Sequence, residues 1–220
     1  MDPPAAFLEH FSTRMNLFEK GVKKVGKVGT GFSTSLDGFI ARPNGDVGPL
    51  FDWYFGGDTE YTVPSGNITL KVSEQSAELL RTSYGTMGAL VVGRRHFDHA
   101  RGWGGRHPMD LLVFVVTHTV PREWTYEGSP FTFVTDGVES AVKRAREVAG
   151  DKNVGVGGAD VAQQCIEAGL IDEVGIDLVP VLLGEGVRFF DRLRSWPIEL
   201  ERTRVVEAPG VTHLRFRIVR

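Results

Sequence analysis

Three short groups of residues in the middle of the chain have the chemistry to bind a phosphorylated ligand: Gly93-Arg94-Arg95, Thr117-His118 and Gly157-Gly158. Each group follows an apolar run with the length and composition of a buried strand. Guanidinium groups pair with phosphate as fork-shaped donors, a threonine offers a hydroxyl, and a histidine offers a ring N–H. Either arginine alone also fits a solvated surface charge, so the indication of a ligand comes from the three groups together.

The glycine pair has the features of a phosphate site at the start of a helix. It separates a short strand from a predicted amphipathic helix whose apolar face carries Val161, Ala162, Cys165 and Ile166. Because glycine has no Cβ, the backbone can turn sharply and a ligand can approach its N–H groups. The first turn of the helix, from Ala159, adds unpaired donors and the positive end of the helix dipole. The run is not the G-x-G-x-x-G fingerprint, and such a turn also serves close helix packing alone.

The predicted elements bring these groups to one edge of a sheet. Strands are predicted at residues 27–34, 39–41, 89–93, 111–117, 131–134, 152–157, 174–179, 199–206 and 212–219, and helices at residues 73–84, 94–98, 137–149 and 159–168. Ser73 is the expected cap of the first helix and Asp136 that of the third, with Glu139 completing a capping box. The pattern predicts an α/β fold with a mostly parallel central sheet, helices on both faces and an antiparallel C-terminal edge. Ligands of such sheets lie at the carboxyl ends of the strands, where all three groups fall.

Three further segments are described by composition rather than by period. Arg42 to Pro49 is dense in turn-forming residues, and we expect a mobile loop that acts as a lid. Leu50 to Leu70 shows no clean period and predicts an irregular insertion. Residues 1–24 carry apolar side chains near helical spacing followed by lysines, which fits either a docking helix or a partly ordered extension. Residues 25–220 form one expected domain.

Composition excludes several classes of protein. The 220 residues are 41% hydrophobic and 24% charged with a formal charge of -3, so nothing favours general binding to nucleic acid or anionic membranes. No apolar run reaches the ~20 residues of a membrane span. The single cysteine, Cys165, excludes an internal disulfide and a cysteine-cluster metal site, and no metal is expected. A reducing cytoplasm is the natural compartment.

Four motifs in order resemble those of the dihydrofolate-reductase-like family, which includes the C-terminal reductase domain of riboflavin-biosynthesis enzymes. They are Ser35-Leu-Asp-Gly38, the run Val91 to Phe97, Val156-Gly-Gly158 and the long run Gly169 to Gly186. The resemblance extends over roughly residues 27–219. It implies the three-layer fold of that family.

The resemblance also implies NADPH as cofactor and assigns residues to it. The adenosine phosphate side would be held by Gly93, Arg94, Arg95, Thr117 and His118, and the pyrophosphate by Gly157, Gly158 and the helix start at Ala159. Ser33, Ile40 and the loop after Ala41 would line the nicotinamide. The substrate would lie between that loop, the segment 50–61 and the segment 182–188, which yields the candidates Phe39, Asp52, Trp53, Leu183, Glu185 and Gly186.

The chain departs from this family at Phe39, where the riboflavin-pathway reductases usually carry a lysine or another basic residue. The zinc ligands of the deaminase often fused to them are absent as well. An apolar Phe39 with Trp53, Tyr54 and Phe55 suits stacking on a flat heterocycle better than gripping a ribose phosphate. The same aromatic residues fit core or dimer contacts equally well.

The proton donor stays open at this point. Asp37 is assigned as polar support, since an aspartate before a glycine is often a turn residue that hydrogen-bonds nearby backbone. Asp52, Glu185 and a water are the other candidates.

Two functions from different classes follow. The first is an NADPH-dependent oxidoreductase acting on a small pyrimidine-like, pterin-like or carbonyl substrate, and the alternative is a non-catalytic protein of the same fold that binds a nucleotide or flavin. We also expect a homodimer, because residues 174–179 and 212–219 are predicted to form an antiparallel edge in need of a cover. The N-terminal segment is the other possible cover of that edge.

Overall fold

The computed structural model describes residues 26–191, 193–194 and 197–220. The extension predicted at residues 1–24 lies outside these residues. The strands are β1 (Val28–Ser35), β2 (Phe39–Ala41), β3 (Thr59–Thr62), β4 (Thr69–Val72), β5 (Met87–Gly93), β6 (Leu112–Val116), β7 (Phe131–Val134), β8 (Asn153–Gly157), β9 (Glu173–Val179), β10 (Val187–Arg188), β11 (Leu200–Ala208) and β12 (Val211–Ile218). The α-helices are α1 (Glu74–Gly85), α2 (Arg94–His99), α3 (Val138–Ala149) and α4 (Ala159–Glu167).

Eight strands form the central sheet in the order β11-β12-β9-β1-β8-β5-β6-β7. The six strands from β9 to β7 run parallel, while β12 and β11 add an antiparallel edge. This confirms the predicted sheet. The prediction that residues 174–179 lie at the edge of the sheet was wrong, however. Strand β9 pairs with β1 on one side and with β12 on the other, so it lies inside the sheet. The exposed edge on this side is β11.

Part of one sheet face carries glycines in place of larger side chains. Gly29 and Gly31 of β1 lie on this face with Gly155 of β8 and Gly175 of β9, to which they are paired. We call these four residues the glycine floor. A Cβ at Gly155 would lie 2.6 Å from Leu90 Cδ2, and one at Gly31 would lie 3.1 Å from the carbonyl oxygen of Gly175. The floor is therefore closely packed as well as flat.

Three apolar clusters stabilise the two faces of the sheet. Helices α3 and α4 pack on the face opposite the floor, through residues that include Ala141, Val142, Ala162, Val91 and Val154. On the floor's own face, one cluster joins α1 to the 3-10 helix Gly48–Tyr54, and the other surrounds Phe97 of α2. The strand order places the glycine floor between these two clusters. The gap between them is the origin of the cleft described below.

Two local predictions were wrong for identifiable reasons. The segment 50–70 is not irregular: the 3-10 helix Gly48–Tyr54 and the paired strands β3 and β4 occupy most of it. Each of those strands has only four residues, too few to show a period. Helix α3 has Gly137 as its N-cap without a side-chain cap, while Asp136 pairs instead with Arg144 at 3.1 Å. The predicted Ser73 cap of α1 is confirmed, since its side chain accepts a hydrogen bond from the Ser76 N–H.

Within the residues that the structure describes, no helix combines the length and the apolar character needed to cross a membrane.

Candidate active site

A cleft of about 2160 Å³ lies over the glycine floor and extends to the carboxyl ends of the central strands. All of the residues predicted to bind the cofactor line it, namely Ser33, Ile40, Gly93, Arg94, Arg95, Thr117, His118, Gly157, Gly158 and Ala159. Parallel pairing explains the convergence, because β1, β8, β5 and β6 are neighbours and end at the same edge. The sequence separation between Ser33 and Ala159 thus becomes spatial proximity.

The glycine pair is required by the turn from β8 into α4. Gly158 has φ +90°, which a residue with a Cβ rarely adopts. A Cβ at Gly157 would lie 3.2 Å from the imidazole of His96 and 3.3 Å from Val92. The two glycines therefore serve different ends, since one allows the turn and the other allows α2 to approach.

The two predicted arginines differ in their freedom. Arg94 donates from Nε to both carboxylate oxygens of Asp98, at 2.8 and 2.9 Å, and from Nη1 to the carbonyl oxygen of Thr119 at 3.1 Å. Arg95 is exposed at the cleft. A salt-bridged guanidinium has fewer donors left for a ligand, so Arg95 is the better placed of the two to bind a phosphate.

Thr117 and His118 form the next part of the cleft wall. Thr117 is buried, and its hydroxyl donates to the carbonyl oxygen of Thr119 at 2.8 Å. His118 is exposed and faces the cleft. Thr117 therefore shapes the turn after β6, while His118 has a side chain that a ligand can reach.

His96 and His107 bring uncharged imidazoles to the same region. Burial lowers the pKa of His96, and the neighbouring His99 lowers it further. Burial also lowers the pKa of His107 to about 4, with His96 adding to the effect. At neutral pH both rings are therefore neutral, and the positive charge here comes from the arginines.

Ser33 and Ile40, which the resemblance assigns to the nicotinamide, line the cleft. Both are buried, and Ser33 Oγ accepts a hydrogen bond of 3.0 Å from the indole N–H of Trp53. Residues 43–45 and 47, from the predicted lid, line the same part of the cleft. A Cβ at Gly45 would lie only 2.7 Å from the ring of His99, so this loop reaches across to α2.

Asp37 accepts three hydrogen bonds through its carboxylate. Its Oδ1 accepts from the Ser35 hydroxyl and from the Leu183 N–H at 3.1 Å, and its Oδ2 accepts from the Gly184 N–H at 2.7 Å. The Ser35 bond contributes most to lowering the pKa of Asp37 to about 2, and the two backbone bonds add to it. This geometry fits the predicted role of polar support and makes Asp37 a carboxylate at neutral pH.

Most of the predicted substrate residues lie away from the cleft wall. Gly186 lines the cleft, whereas Phe39, Asp52, Trp53, Leu183 and Glu185 are not part of its lining. Phe39 is buried under the guanidinium of Arg188, whose Cζ lies 4.5 Å from the ring centroid, and Trp53 is buried against Ser33. Asp52 and Glu185 are exposed. The role of these residues toward a substrate stays a prediction.

The sequence interpretation missed a polar cluster on the cleft wall next to Ser33. It consists of Asp177, Arg215, Tyr54 and Tyr84 on the wall, with buried His213 behind them. The available signal was Asp177 itself, a charged residue within the apolar run Val174 to Val179. The segment 174–179 was predicted to lie at an edge of the sheet, whereas β9 lies inside it.

The arrangement matches a known family. The family model described as the RibD C-terminal domain matches residues 27–213. The chain belongs to the RibD C-terminal domain family. The resemblance inferred from the four motifs is thereby confirmed.

Individual relatives of this family member are distant in sequence. The curated protein YwjB of Bacillus subtilis, named as uncharacterized, is 25% identical over 164 residues, which cover 74% of this chain and 82% of YwjB. A putative riboflavin biosynthesis protein from Shewanella sp. PV-4 has a similar structure, with TM-score 0.65 and 23% identity over 88% of this chain and 99% of that one.

Two further solved structures share the fold. The Thermotoga maritima deaminase/5-amino-6-(5-phosphoribosylamino)uracil reductase has TM-score 0.59 and 17% identity, and the match covers 96% of this chain but 62% of that longer one. Dihydrofolate reductase from Enterococcus faecalis, complexed with NADP(H), has TM-score 0.51 and 17% identity over 88% of this chain and 97% of that one. The predicted dihydrofolate-reductase-like fold is confirmed.

Proposed function

We propose that this protein is an NADPH-dependent reductase that transfers a hydride to a small pyrimidine-like, pterin-like or carbonyl substrate. The observation that carries the proposal is the cleft of a RibD C-terminal domain family member that unites Gly157-Gly158, Arg95, Ser33 and Ile40. Reductases with this fold, including one solved with NADP(H), support an oxidoreductase in general.

The residues of the cleft fit such a cofactor. The N-terminus of α4, nine residues long, supplies backbone donors and a positive dipole end at the glycine pair, which suit a pyrophosphate. Gly158 leaves open the space that a Cβ would fill. The exposed guanidinium of Arg95 suits the additional 2′-phosphate that distinguishes NADPH from NADH. Ser33 and Ile40 offer a polar group and an apolar surface to the nicotinamide end.

In this reaction the protein provides position, charge and access for water. When bound, NADPH supplies the hydride, which is added to the electrophilic carbon of a C=N or C=O bond while the heteroatom takes a proton. Asp37 is ionised at neutral pH, because its pKa is lowered to about 2. We therefore assign the proton to water admitted through the open cleft, with Asp37 holding β2 and the turn at Leu183-Gly184 in place.

A nucleotide-binding protein without turnover is the second candidate. The state of Asp37 favours this candidate, because an ionised carboxylate that accepts three hydrogen bonds has no proton to donate. Many reductases are expected to use a carboxylic acid as proton donor. The ligand of this second candidate would be a nucleotide or a flavin, and where that nucleotide is NADPH the two candidates differ only in whether NADPH is consumed.

Calorimetric titration of NADPH into the full chain tests the shared step. Gly158→Ala should weaken NADPH binding roughly tenfold or more, equivalent to ~1.4 kcal/mol, because the new methyl group forces the turn at the helix start to move. Gly169→Ala is the matched control, since Gly169 also has positive φ, +67°, but follows the other end of α4 and has nothing within 4 Å of an added Cβ. Absence of NADPH binding by the wild type, or equal affinities of both variants, would refute the site.

A further inference from the structure

The polar cluster beside Ser33 lies at the rim of the glycine floor and is built from four elements. Asp177 of β9 is directly opposite Ser33 of β1 and His213 of β12 in the sheet register, so all three lie on the floor's face. Arg215 is opposite Gly175, and its guanidinium lies 3.3–3.4 Å from the position of the missing Cβ. A flat ring above Gly31 would therefore have Asp177 and Arg215 at its edge.

The carboxylate of Asp177 is held in one orientation. His213 Nδ1 and Arg215 Nη1 each lie 2.8 Å from Asp177 Oδ1. His213 is 1% exposed, and its Nε2 is fixed by the Ser76 hydroxyl at 2.8 Å. Both contacts of the carboxylate end on Oδ1, so Oδ2 is left to accept a hydrogen bond from a ligand. A rotamer fixed by packing and hydrogen bonds loses little entropy on binding.

The surroundings keep this carboxylate ionised. The titratable and charged groups that face it are His213 and Arg215 from β12, Tyr54 from the 3-10 helix and Tyr84 from α1. Burial alone would raise the pKa of Asp177, but the His213 hydrogen bond and the Arg215 charge lower it below its ordinary value. Burial raises the pKa of Tyr84 to about 12 and that of Tyr54 well above its ordinary range. The wall thus presents one anion, one cation and neutral hydroxyls.

We propose that Asp177 and Arg215 select the substrate by binding a cyclic amide edge, with the ring lying over the glycine floor. Oδ2 of Asp177 accepts from the ring N–H, and the guanidinium N–H groups of Arg215 not used within the protein donate to the adjacent carbonyl oxygen. This inference rests on the proposed function, because it takes the ligand of this wall to be the substrate of the reductase. Rings with only acceptors along that edge offer no donor to Oδ2 of Asp177 and bind poorly.

Arg215 and Asp177 act as a pair in this recognition. Arg215 is 26% exposed and Asp177 is 15% exposed as side chains, so a ligand that covers them removes both from water. Charged hydrogen bonds are stronger than neutral ones, and removing one charge leaves its partner uncompensated. The discrimination between rings should accordingly depend on the charge of Asp177. A substitution that removes this charge but keeps the shape of the side chain should therefore reduce it.

The test compares two probes with the full chain, in the presence and absence of NADP+, by NMR titration. Uracil carries the cyclic amide edge, and 2,4-dimethoxypyrimidine has ring-nitrogen acceptors in place of the N–H donors. The wild type should bind uracil more tightly. Asp177→Asn should weaken uracil roughly tenfold and leave the dimethoxy compound unchanged. Asp172→Asn is the matched control, because Asp172 is paired with Arg146 and Arg220 outside the cleft.

Each outcome has a defined meaning. Equal uracil affinities of the folded Asp177→Asn variant and the wild type would overturn the inference. The inference would also be overturned if the wild-type protein bound both probes equally or did not bind uracil. Neither of these results depends on a variant. Failure of the proposed function is seen separately, as wild-type protein that binds uracil in an Asp177-dependent way but does not bind NADPH. NADPH affinity of Asp177→Asn should equal that of the wild type.

Discussion

Among single residues, we propose Arg95 as the one that makes the protein prefer NADPH to NADH. Arg95→Ala should weaken NADPH about tenfold to a hundredfold, because a hydrogen-bonded charge pair with a phosphate typically contributes ~1.5–3 kcal/mol. NADH lacks the 2′-phosphate and should lose far less. The same substitution at Arg94 should have the smaller effect, since Arg94 is already bound to Asp98 and Thr119. Calorimetry measures the affinities of the wild type and of each variant for NADPH and for NADH.

Arg81→Ala provides the control for this experiment. Arg81 is an arginine of α1 that pairs with Glu74 at 3.0 Å and does not line the cleft. Its removal should leave both affinities unchanged. An Arg95→Ala variant that loses NADPH and NADH equally would contradict the assignment of the 2′-phosphate.

Asp37 should make the stability of the protein depend on pH in acid. Its pKa is lowered from 3.8 to about 2 in the folded chain, so its bonds stabilise the fold fully above about pH 4. That contribution is lost as the pH falls through about 2, where the folded carboxylate takes up its proton. The difference in urea midpoint between wild type and Asp37→Asn should therefore be largest above pH 4 and shrink toward pH 2.

Asp58→Asn separates this effect from loss of any surface carboxylate. Asp58 is exposed, and it accepts a long hydrogen bond of 3.5 Å from the Thr59 hydroxyl. A midpoint difference for Asp37→Asn that stays constant from pH 6 to pH 2 would show that its backbone bonds do not stabilise the fold.

Single residues mark the limit of what the sequence could predict. The groups at Gly93, Thr117 and Gly157 were predicted to lie together because strand ends of a parallel sheet converge, which needs only the element order, and they do line one cleft. The partners of Asp37 lie 146 and 147 residues further along the chain, at Leu183 and Gly184. Asp177 required knowledge of which strands flank β9. Neither contact has a local pattern that predicts it.

Among the structural elements, the loop from Arg42 to Pro49 is predicted to act as a lid. It is ordered by its own turn, in which Arg42 N–H donates to Asp46 O at 2.8 Å and Gly45 N–H to Arg42 O at 2.9 Å. We expect it to move as a unit, so NADPH should slow amide hydrogen exchange in it. Gly45→Ala should speed exchange in the free protein, because the added Cβ would meet the His99 ring at 2.7 Å.

Gly66→Ala is the matched control for the loop. Gly66 has φ +77°, close to the +87° of Gly45, yet an added Cβ there meets nothing within 4 Å. The backbone strain is thus similar while the contact with α2 is missing. Slow exchange in the free wild-type loop with no response to NADPH would make it a rigid turn and contradict the lid.

Elements with strong local signals were predicted well, and those fixed by pairing were not. Helix α1 was marked by the Ser73 cap, and β5 and β6 by continuous apolar runs. The hairpin of β3 and β4 is short. It is stabilised by Tyr61 and Leu70, which pack in the apolar cluster that joins α1 to the 3-10 helix Gly48–Tyr54. Strand β9 was recognised as a strand, but its neighbours follow from the whole topology.

Assembly is the prediction at the scale of the whole molecule. The exposed edge is β11, where Leu200 and Val205 are each 43% exposed. We expect a two-fold homodimer that covers this edge and buries at least ~1,000 Å² in total. Light scattering of the full chain at micromolar concentration should give the dimer mass, and Val205→Lys should shift it toward the monomer.

Val148→Lys is the control for the dimer. Val148 lies on α3 and is 49% exposed, so the same charge is added on a different face. It should leave the mass unchanged. A monomer mass for the wild type would contradict the dimer.

Turnover tests the central claim most directly, because it separates a reductase from a protein that only binds NADPH. The full chain is incubated with NADPH deuterated on one face of the nicotinamide C4, together with a panel of pyrimidine, pterin and carbonyl compounds. Mass spectrometry then follows the label. If the protein is a reductase, one compound should gain one deuterium from a single face of the nicotinamide, and an equal amount of NADPH should be consumed. Binding of NADPH without its consumption across the whole panel would contradict the reductase and favour the nucleotide-binding protein.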